Sequence, residues 1–218
     1  MKKVWEALQA EHSILVCDFD GTLTTSGSSM HGIVRVLGED APLSRGRDRL
    51  YLHYGRDPKA KERILYSGET DLCWWREQME LFIRYQITED MFFKVAEILP
   101  ARSEAVDFLK KCQEAGKTVW IVSSGIANVI EAWLGLHEIP AEGIHILANR
   151  LHFKDGKSSD YSEYITPHNK AEGFFRMAKL MPEQRLIFLG DRMEDLDWDW
   201  KNKENFLIDK STGVVTSV

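Results

Sequence analysis

The sequence predicts an α/β protein whose core is a doubly wound, Rossmann-like parallel sheet. Two observations predict this class: three short apolar runs that each end in small or polar residues, and helical patterns that lie between them. Strands covered on both faces are apolar almost throughout, and strands that alternate with helices form parallel sheets. The carboxyl ends of such strands share one edge, so the polar residues that follow the runs are expected to meet there. The three runs are 14–18, 117–123 and 185–191.

Helical patterns and one hairpin account for most of the remaining core. Helices are expected at 103–116, 127–134 and 171–181, with Ser103 capping the first of them and Gly116 ending it. Asp155-Gly156 lies between residues suited to strands, and this dipeptide favours a tight hairpin turn.

Residues 27–99 have helical patterns and almost no strand signal. Helices are expected within 47–66, 70–85 and 88–99, and Thr88 is the expected cap of the last. An all-helical block that interrupts an α/β chain after its first strand predicts a helical cap domain inserted over the sheet edge. Residues 27–99 are therefore assigned to the cap, and residues 1–26 and 100–218 to the α/β core.

Composition excludes several classes of protein. The 218 residues include 28 basic and 34 acidic side chains, for a net charge of −6, and 44% are hydrophobic, so the chain can bury a core. The acidic balance and the absence of like-charge blocks argue against binding to a nucleic acid polymer. No apolar stretch approaches the roughly 20 residues of a membrane helix, and no secretory signal is recognised. Three cysteines without a CxxC spacing favour a reducing cytoplasm.

The first apolar run ends in Asp18-Phe19-Asp20-Gly21-Thr22. On extended backbone, side chains two residues apart point the same way, so Asp18 and Asp20 are expected on one side and Phe19 on the other. Gly21 permits the tight turn that follows. Paired carboxylates suit Mg²⁺, which takes oxygen ligands, and a reaction in which one carboxylate attacks while the other donates a proton. Taken alone, the same residues also fit a turn with solvated acids.

Further polar groups follow the other predicted elements. Ser123-Ser124-Gly125 stands before a helix, where hydroxyls and free amides can bind an anion, although this triplet is also common in turns. Lys170 begins a helix and would act on a phosphate as a point charge, or else lie in solvent. Asp191 ends the third run and Asp195 follows four residues later, which also fits the acidic start of a helix.

The order of these groups along the chain is more specific than any one of them. DxDGT, a strand-end serine, a lysine and GDxxxD follow one another, and this set resembles the motifs of the haloacid dehalogenase-like phosphohydrolases across the whole α/β portion. The resemblance implies a magnesium-dependent enzyme that hydrolyses a small phosphomonoester through an aspartyl-phosphate. Dehalogenation is disfavoured because that branch of the family does not need an acid at the second aspartate, and Asp20 is present.

The resemblance also implies roles for the motif residues. Asp18 is the expected nucleophile and Asp20 the expected proton donor and later base. Charge neutralisation by a metal and a lysine is physically required, since a carboxylate and a phosphate dianion repel each other. The expected Mg²⁺ ligands are Asp18, the backbone carbonyl of Asp20, and Asp191, with support from Asp195. The expected phosphate-binding residues are Thr22, Ser123, Ser124, Gly125 and Lys170.

Within the family, the helical insert resembles those of the phosphoserine phosphatase and pyrimidine 5′-nucleotidase types. The nucleotidase resemblance is closer at 123–131, at 145–153 and at the pair Trp74-Trp75, so a nucleoside 5′-monophosphate is one expected substrate. Cys73 stands where that type would have a glutamate, which puts pyrimidine specificity in doubt. At most one of Trp74 and Trp75 is expected to stack on a base, because adjacent helical residues point about 100° apart.

Other interpretations of the motifs stay open. The enzyme could act like a phosphoserine phosphatase on another small metabolite, or transfer the phosphoryl group to a hydroxyl instead of water. A catalytically dead binding protein would be expected to have lost one of its acids, and none is missing. Cap arginines could draw in an anionic substrate or could simply be solvated. These arginines are Arg45, Arg47, Arg49 and Arg56.

Overall fold

The computed structural model describes residues 1–25, 29–55, 68–163 and 165–218. Within these ranges seven strands form one mixed sheet, which confirms the predicted fold class. No helix in the same ranges combines the length and the apolar character needed to cross a bilayer. The strands are β1 Ser13–Cys17, β2 Val119–Ile126, β3 Ile144–Lys154, β4 Lys157–Ser162, β5 Arg185–Gly190, β6 Lys203–Ile208 and β7 Val215–Ser217.

The sheet order is β4-β3-β2-β1-β5-β6-β7. Strands β3, β2, β1, β5 and β6 run parallel, while β4 and β7 are antiparallel additions at the two edges. β1 is central, so β2 and β5 lie on either side of it. The loops that follow these three parallel strands therefore meet at the carboxyl edge of the sheet.

Eight α-helices are described, and the sequence predicts most of them. α2 begins earlier than any helix expected from the sequence, and the part of the expected helix 47–66 beyond residue 55 lies outside the described residues. The helices are α1 Lys2–Leu8, α2 Ser29–Leu37, α3 Pro42–His53, α4 Gly68–Arg84, α5 Asp90–Ile98, α6 Ser103–Glu114, α7 Ala127–Leu136 and α8 Lys170–Ala178.

Apolar packing covers both faces of the sheet. Alternation along β1 sends Leu15 and Cys17 into one buried cluster and Ile14 and Val16 into another. The larger cluster extends into the helices of residues 29–98, here called the helical segment, and the smaller one packs against α8. The central strand is thus buried on both faces, as its continuous apolar run predicts.

Several local predictions differ from the structure. Ser103 is the first residue of α6 and not its cap, since Arg102 holds the cap position and no side chain caps the helix. Thr88 does not cap α5 either, because its hydroxyl donates a hydrogen bond to Asp90. β2 extends through the Ser-Ser-Gly triplet to Ile126, three residues beyond its predicted end. Such side-chain contacts depend on tertiary position, which local sequence patterns do not contain.

The β3–β4 hairpin forms as predicted and packs against the helical segment. Asp155 and Gly156 both adopt positive φ, at 51° and 74°, the conformation that a type I′ turn requires. Ser158 donates its backbone N–H to the carbonyl of Ile87 at 2.9 Å and its hydroxyl to the carbonyl of Phe82 at 2.8 Å. The hairpin therefore fastens the end of α4 to the sheet.

Candidate active site

The loop after β1 places Asp18 against a lysine from a distant part of the chain. Lys170 Nζ lies 2.6 Å from Asp18 Oδ1 and 2.6 Å from Asp195 Oδ1. All three side chains are at most 10% exposed. Lys170 is the first residue of α8, so the helix start delivers its ammonium group between two carboxylates that belong to different loops.

Asp18, Asp191 and Asp195 form a compact group of carboxylates. One oxygen from each lies within 4.8 Å of the others. Thr22 is fully buried and donates its hydroxyl to Asp191 Oδ1 at 3.2 Å. Lys210, in the turn after β6, places Nζ 2.5 Å from Asp191 Oδ2, but this contact is an ion pair without hydrogen-bond geometry.

These carboxylates fit a hard divalent cation. Mg²⁺ prefers carboxylate oxygens and few protein ligands, and the group offers three carboxylates around one small space. Asp191 Oδ2 is buried, and Lys210 Nζ pairs with it without making a hydrogen bond, so a cation bound here would take the place of that ammonium group. The donor set therefore suits the cation that the sequence motifs imply.

Burial dominates the electrostatics of the site. It raises the pKa of Asp18 to about 7, with Asp195 and Asp191 adding to the rise and Lys170 opposing it. Burial alone would lower the pKa of Lys170, but Asp18 and Asp195 outweigh it and raise that pKa well above its usual value. A cation bound among the carboxylates would therefore favour the ionised form of Asp18.

Asp20 lies apart from this group and is held by the start of α2. Ser29 donates its backbone N–H to Asp20 Oδ1 at 3.0 Å and its hydroxyl to Oδ2 at 3.1 Å. Phe19, between the two aspartates, is fully buried with its ring edge-on to Trp133. The two carboxylates therefore have different partners, which is what two different chemical roles would need.

The Ser123-Ser124-Gly125 segment is next to Asp20. A Cβ built on Gly125 would lie 3.1 Å from both Asp20 Oδ2 and Ser123 Oγ. Ser123 and Ser124 are buried, and the hydroxyl of Ser123 accepts the N–H of Gly125 at 3.0 Å. This segment is thus close enough to the first loop to share a ligand with it.

A buried asparagine outside the motifs connects two of the segments that carry motif residues. Asn149 donates to the carbonyls of Ser124, Gly125 and Ile165 at 2.9, 3.2 and 2.8 Å, which joins the end of β2 to the segment that leads to Lys170. Its position inside an apolar run is the signal that could have identified it.

Arg102 holds the backbone of the loop that follows β1. Its guanidinium donates to the carbonyls of Thr22 and Gly21 at 3.2 and 3.3 Å. Gly21 adopts φ +91°, and a Cβ there would lie 2.5 Å from Lys210 Cε, so both the turn and the approach of Lys210 require glycine. No local pattern marks Arg102, Lys210 or Ser29, and the sequence analysis missed all three.

The tryptophans proposed for the cap are buried in the apolar core of the helical segment. Trp74 and Trp75 are 4% and 7% exposed and pack edge to face against each other, with ring centroids 5.1 Å apart. Trp74 also packs on Tyr51 at 5.5 Å. This burial fits a packing role, and stacking on a base stays a prediction.

The predicted arginines are in three different environments, and Arg56 lies outside the described residues. Arg47 is buried and donates to Gln78 Oε1 at 2.6 Å and to Tyr51 OH at 3.3 Å. Arg45 donates to the carbonyl of Asp40. Arg49 lines a groove of about 580 Å³ between α3 and α4, which contains none of the four core motifs.

Comparison with known proteins now assigns the family. The family model of haloacid dehalogenase-like hydrolases matches residues 15–198. The chain therefore belongs to the haloacid dehalogenase-like hydrolases, and the predictions of this family and of a hydrolytic enzyme are confirmed. No curated protein sequence gave a significant match.

Solved structures share the fold at low sequence identity. Cytosolic 5′-nucleotidase IIIB bound to cytidine superposes with a TM-score of 0.72 at 20% identity, covering 95% of this chain and 78% of that one. A phospho-aspartyl intermediate analogue of phosphoserine phosphatase has a TM-score of 0.53 at 17% identity, covering 85% and 81%. A phosphoserine phosphohydrolase-like protein from Francisella tularensis has a TM-score of 0.54 at 16% identity, covering 84% and 80%.

Proposed function

We propose that the protein is a magnesium-dependent phosphatase that hydrolyses a small phosphomonoester through an aspartyl-phosphate. The observation that carries the proposal is the placement of Asp18 against Lys170 within the group of three carboxylates. Carboxylates at such short range repel one another and would also repel a phosphate dianion, and a divalent cation together with Lys170 would offset both repulsions.

The proposed reaction has two steps. In the first, an oxygen of Asp18 bonds to phosphorus, the ester P–O bond breaks, and Asp20 gives its proton to the departing oxygen. In the second, water attacks the phosphorus, Asp20 takes the proton from that water, and the bond between phosphorus and Asp18 breaks. Phosphate leaves and both aspartates return to their starting states.

The other motif residues would bind and orient the substrate. Lys170 would neutralise phosphoryl charge while holding Asp18 in place, and Ser123 with the 124–125 amides would hold the phosphoryl oxygens. Thr22 would keep Asp191 oriented through its hydroxyl. Mg²⁺, held by Asp18, the Asp20 carbonyl and Asp191 with Asp195 in support, would withdraw charge from the phosphoryl group.

The helical segment is proposed to act as a cap that selects the leaving group. A nucleoside 5′-monophosphate is the preferred substrate, supported by the fold similarity to the nucleotidase over 95% of the chain. A phosphoserine-like metabolite is the second candidate, supported by the phosphoserine phosphatase neighbours. A cytoplasmic location belongs to the same proposal, since all three cysteines are free.

A screen of phosphate esters with Mg²⁺ tests the proposal. Cytidine, uridine and adenosine 5′-monophosphates, phosphoserine and 4-nitrophenyl phosphate would be compared in wild type and in the Asp18→Asn variant, with inorganic phosphate as the readout. Wild type should release phosphate, and the variant should lose at least ~10³-fold of kcat/KM. A phosphoryl adduct on Asp18, found by mass spectrometry after acid quench, would support the intermediate.

Two results of this screen would contradict the proposed phosphatase function. A wild-type protein that releases phosphate from no ester, or an Asp18→Asn variant that keeps full activity, would refute the proposal. Adding a nucleoside acceptor and analysing the products separates water from a hydroxyl as the phosphoryl acceptor.

A further inference from the structure

The contacts of Ser29 point to a role for a residue that belongs to none of the four motifs. We propose that Ser29 is a positioning residue for Asp20, which holds its carboxyl group and stabilises the charge that appears there when the proton leaves. This inference rests on the proposed phosphatase function, because it concerns the proton donor of that reaction.

Ser29 makes a two-point contact with Asp20. Its backbone N–H lies 3.0 Å from Oδ1 and 3.2 Å from Oδ2, and its hydroxyl lies 3.1 Å from Oδ2. Ser29 is fully buried and is the first residue of α2. Two donors on one helix start restrict both the position and the rotation of the carboxyl group.

The backbone of β2 sets the direction of the Ser29 hydroxyl. Ile126 donates its N–H to Ser29 Oγ at 3.1 Å. A hydroxyl has one proton to donate and two lone pairs to offer. The amide of Ile126 can only donate, and the carboxylate that Asp20 becomes after giving up its proton can only accept. The Ser29 proton is therefore directed to Asp20 Oδ2 at that stage.

Gly125 makes room for this arrangement. A Cβ built on Gly125 would lie 2.1 Å from Ser29 Oγ, a distance that no side chain could occupy without displacing the serine. The end of β2, the start of α2 and the loop after β1 therefore meet at one hydroxyl group. Ser29 links the proposed phosphate-binding segment to the proposed proton donor.

The chemistry gives Ser29 a role in the rate as well as in the structure. When the ester P–O bond breaks, the proton moves from Asp20 to the departing oxygen and leaves a carboxylate behind. Two hydrogen-bond donors stabilise that developing charge, and the amino-terminal end of α2 adds to the effect. Ser29 should therefore matter most for leaving groups that cannot depart without a proton.

A pair of aryl esters separates this role from general support of the fold. Phenyl phosphate has a leaving group that needs protonation, whereas 4-nitrophenyl phosphate has one that departs readily as an anion. The measured quantity is the ratio of kcat/KM for phenyl phosphate to that for 4-nitrophenyl phosphate, in which the amount of folded enzyme cancels. Ser29→Ala keeps the backbone donor, and we expect the ratio to fall about tenfold, the equivalent of one charged hydrogen bond.

Two variants serve as controls. Ser29→Thr keeps the hydroxyl and should keep the ratio within about threefold of wild type. Ser44→Ala removes another buried hydroxyl of the helical segment, which donates to the carbonyl of Gly38 at 2.6 Å, and should leave the ratio unchanged. If Ser29→Ala does not fold, Ser29→Cys replaces the hydroxyl by a weaker donor and carries the same prediction.

The outcomes distinguish the two proposals. An unchanged ratio in Ser29→Ala, or an equal fall in Ser44→Ala, would overturn the role of Ser29 while leaving the phosphatase function intact. Absence of phosphate release from either ester by wild type would instead refute the function and, with it, the role of Ser29.

Discussion

The sheet edge and the helical segment both remove charged side chains from water, but they pair those charges differently. At the sheet edge, Lys170 lies between Asp18 and Asp195, with Asp191 close by. In the helical segment, the buried guanidinium of Arg47 has neutral partners, among them Gln78. A bound cation is expected to stabilise the first arrangement and to leave the second unchanged. The sheet-edge charges are therefore the ones expected to respond to a ligand, whereas the guanidinium of Arg47 already has hydrogen-bond partners within the fold.

The pKa directions express the same contrast. Burial raises the pKa of Asp18, so the metal-free site favours its neutral form. Burial lowers the pKa of Arg47, with Tyr51 and Asp48 opposing the change. The site is therefore expected to respond to pH and to metal, whereas the Arg47 network is expected to respond to neither within the neutral range.

The largest expected effect is the loss of Lys170. Lys170→Met should lower kcat/KM for 4-nitrophenyl phosphate by about 10²- to 10³-fold, because the variant loses the charge that is proposed to neutralise the phosphoryl oxygens. Lys154→Met, which removes an exposed lysine at the end of β3, serves as the matched control. Steady-state kinetics with Mg²⁺ measure the activity of both variants. A loss below tenfold in Lys170→Met would contradict the proposed role of the Lys170 charge at the sheet edge.

The second effect concerns stability in the helical segment. Gln78→Leu removes the acceptor 2.6 Å from Arg47 Nε and leaves a buried charge with one partner fewer, at a cost of about 2 kcal/mol. Arg47→Met leaves only neutral groups unpaired and should cost less, and the double variant should recover part of the loss. Urea unfolding measures all three. If Arg47→Met lowers the free energy of unfolding more than Gln78→Leu does, the buried charge of Arg47 is not the main cause of the loss.

The third effect is a gain of stability at the sheet edge. Asp18 has a folded-state pKa of about 7, above its unfolded value, so the folded state binds the extra proton and stability falls as pH rises from about 4 to about 7. Asp18→Asn should therefore stabilise the metal-free protein at pH 8 by ~2 kcal/mol, or roughly 5 °C, and by much less at pH 5.

Thermal unfolding in EDTA at both pH values checks this prediction. Asp197→Asn removes the same charge from a carboxylate that is 87% exposed and should not reproduce the gain. Equal melting temperatures of Asp18→Asn and wild type at pH 8 would show that burying the ionised carboxylate of Asp18 does not destabilise the metal-free protein.

The smallest effect concerns Lys210, whose ammonium lies 2.5 Å from Asp191 Oδ2. An incoming cation has to compete with it, so Lys210→Met should tighten Mg²⁺ binding about threefold, a modest change because the lysine is 45% exposed. Isothermal titration calorimetry with MgCl₂ gives the affinity. Lys154→Met controls for net charge, and weaker binding in Lys210→Met would mean that Lys210 assists the metal.

The sequence predicted the sheet edge far better than the helical segment. Recognisable strands precede Asp18 and Asp191, and Lys170 begins a recognisable helix. The parallel topology of the sheet brings the ends of such strands together. Ser29, Asn149 and Arg102 act through hydrogen bonds to residues 9 to 108 positions away, which no local pattern encodes. The failed caps at Ser103 and Thr88 have the same cause, since tertiary neighbours decided which partner each side chain found.

The hairpin between β3 and β4 also limits how this enzyme can be rebuilt. Ser158, in β4, donates hydrogen bonds to the carbonyls of Phe82 and Ile87, so the end of α4 is anchored by a strand residue 71 to 76 positions further along the chain. A chimera that transplanted only residues 29–98 onto a different scaffold would leave two acceptors without their donor. The exchangeable module is therefore discontinuous, and swaps meant to change substrate preference should transfer residues 154–162 along with the helices.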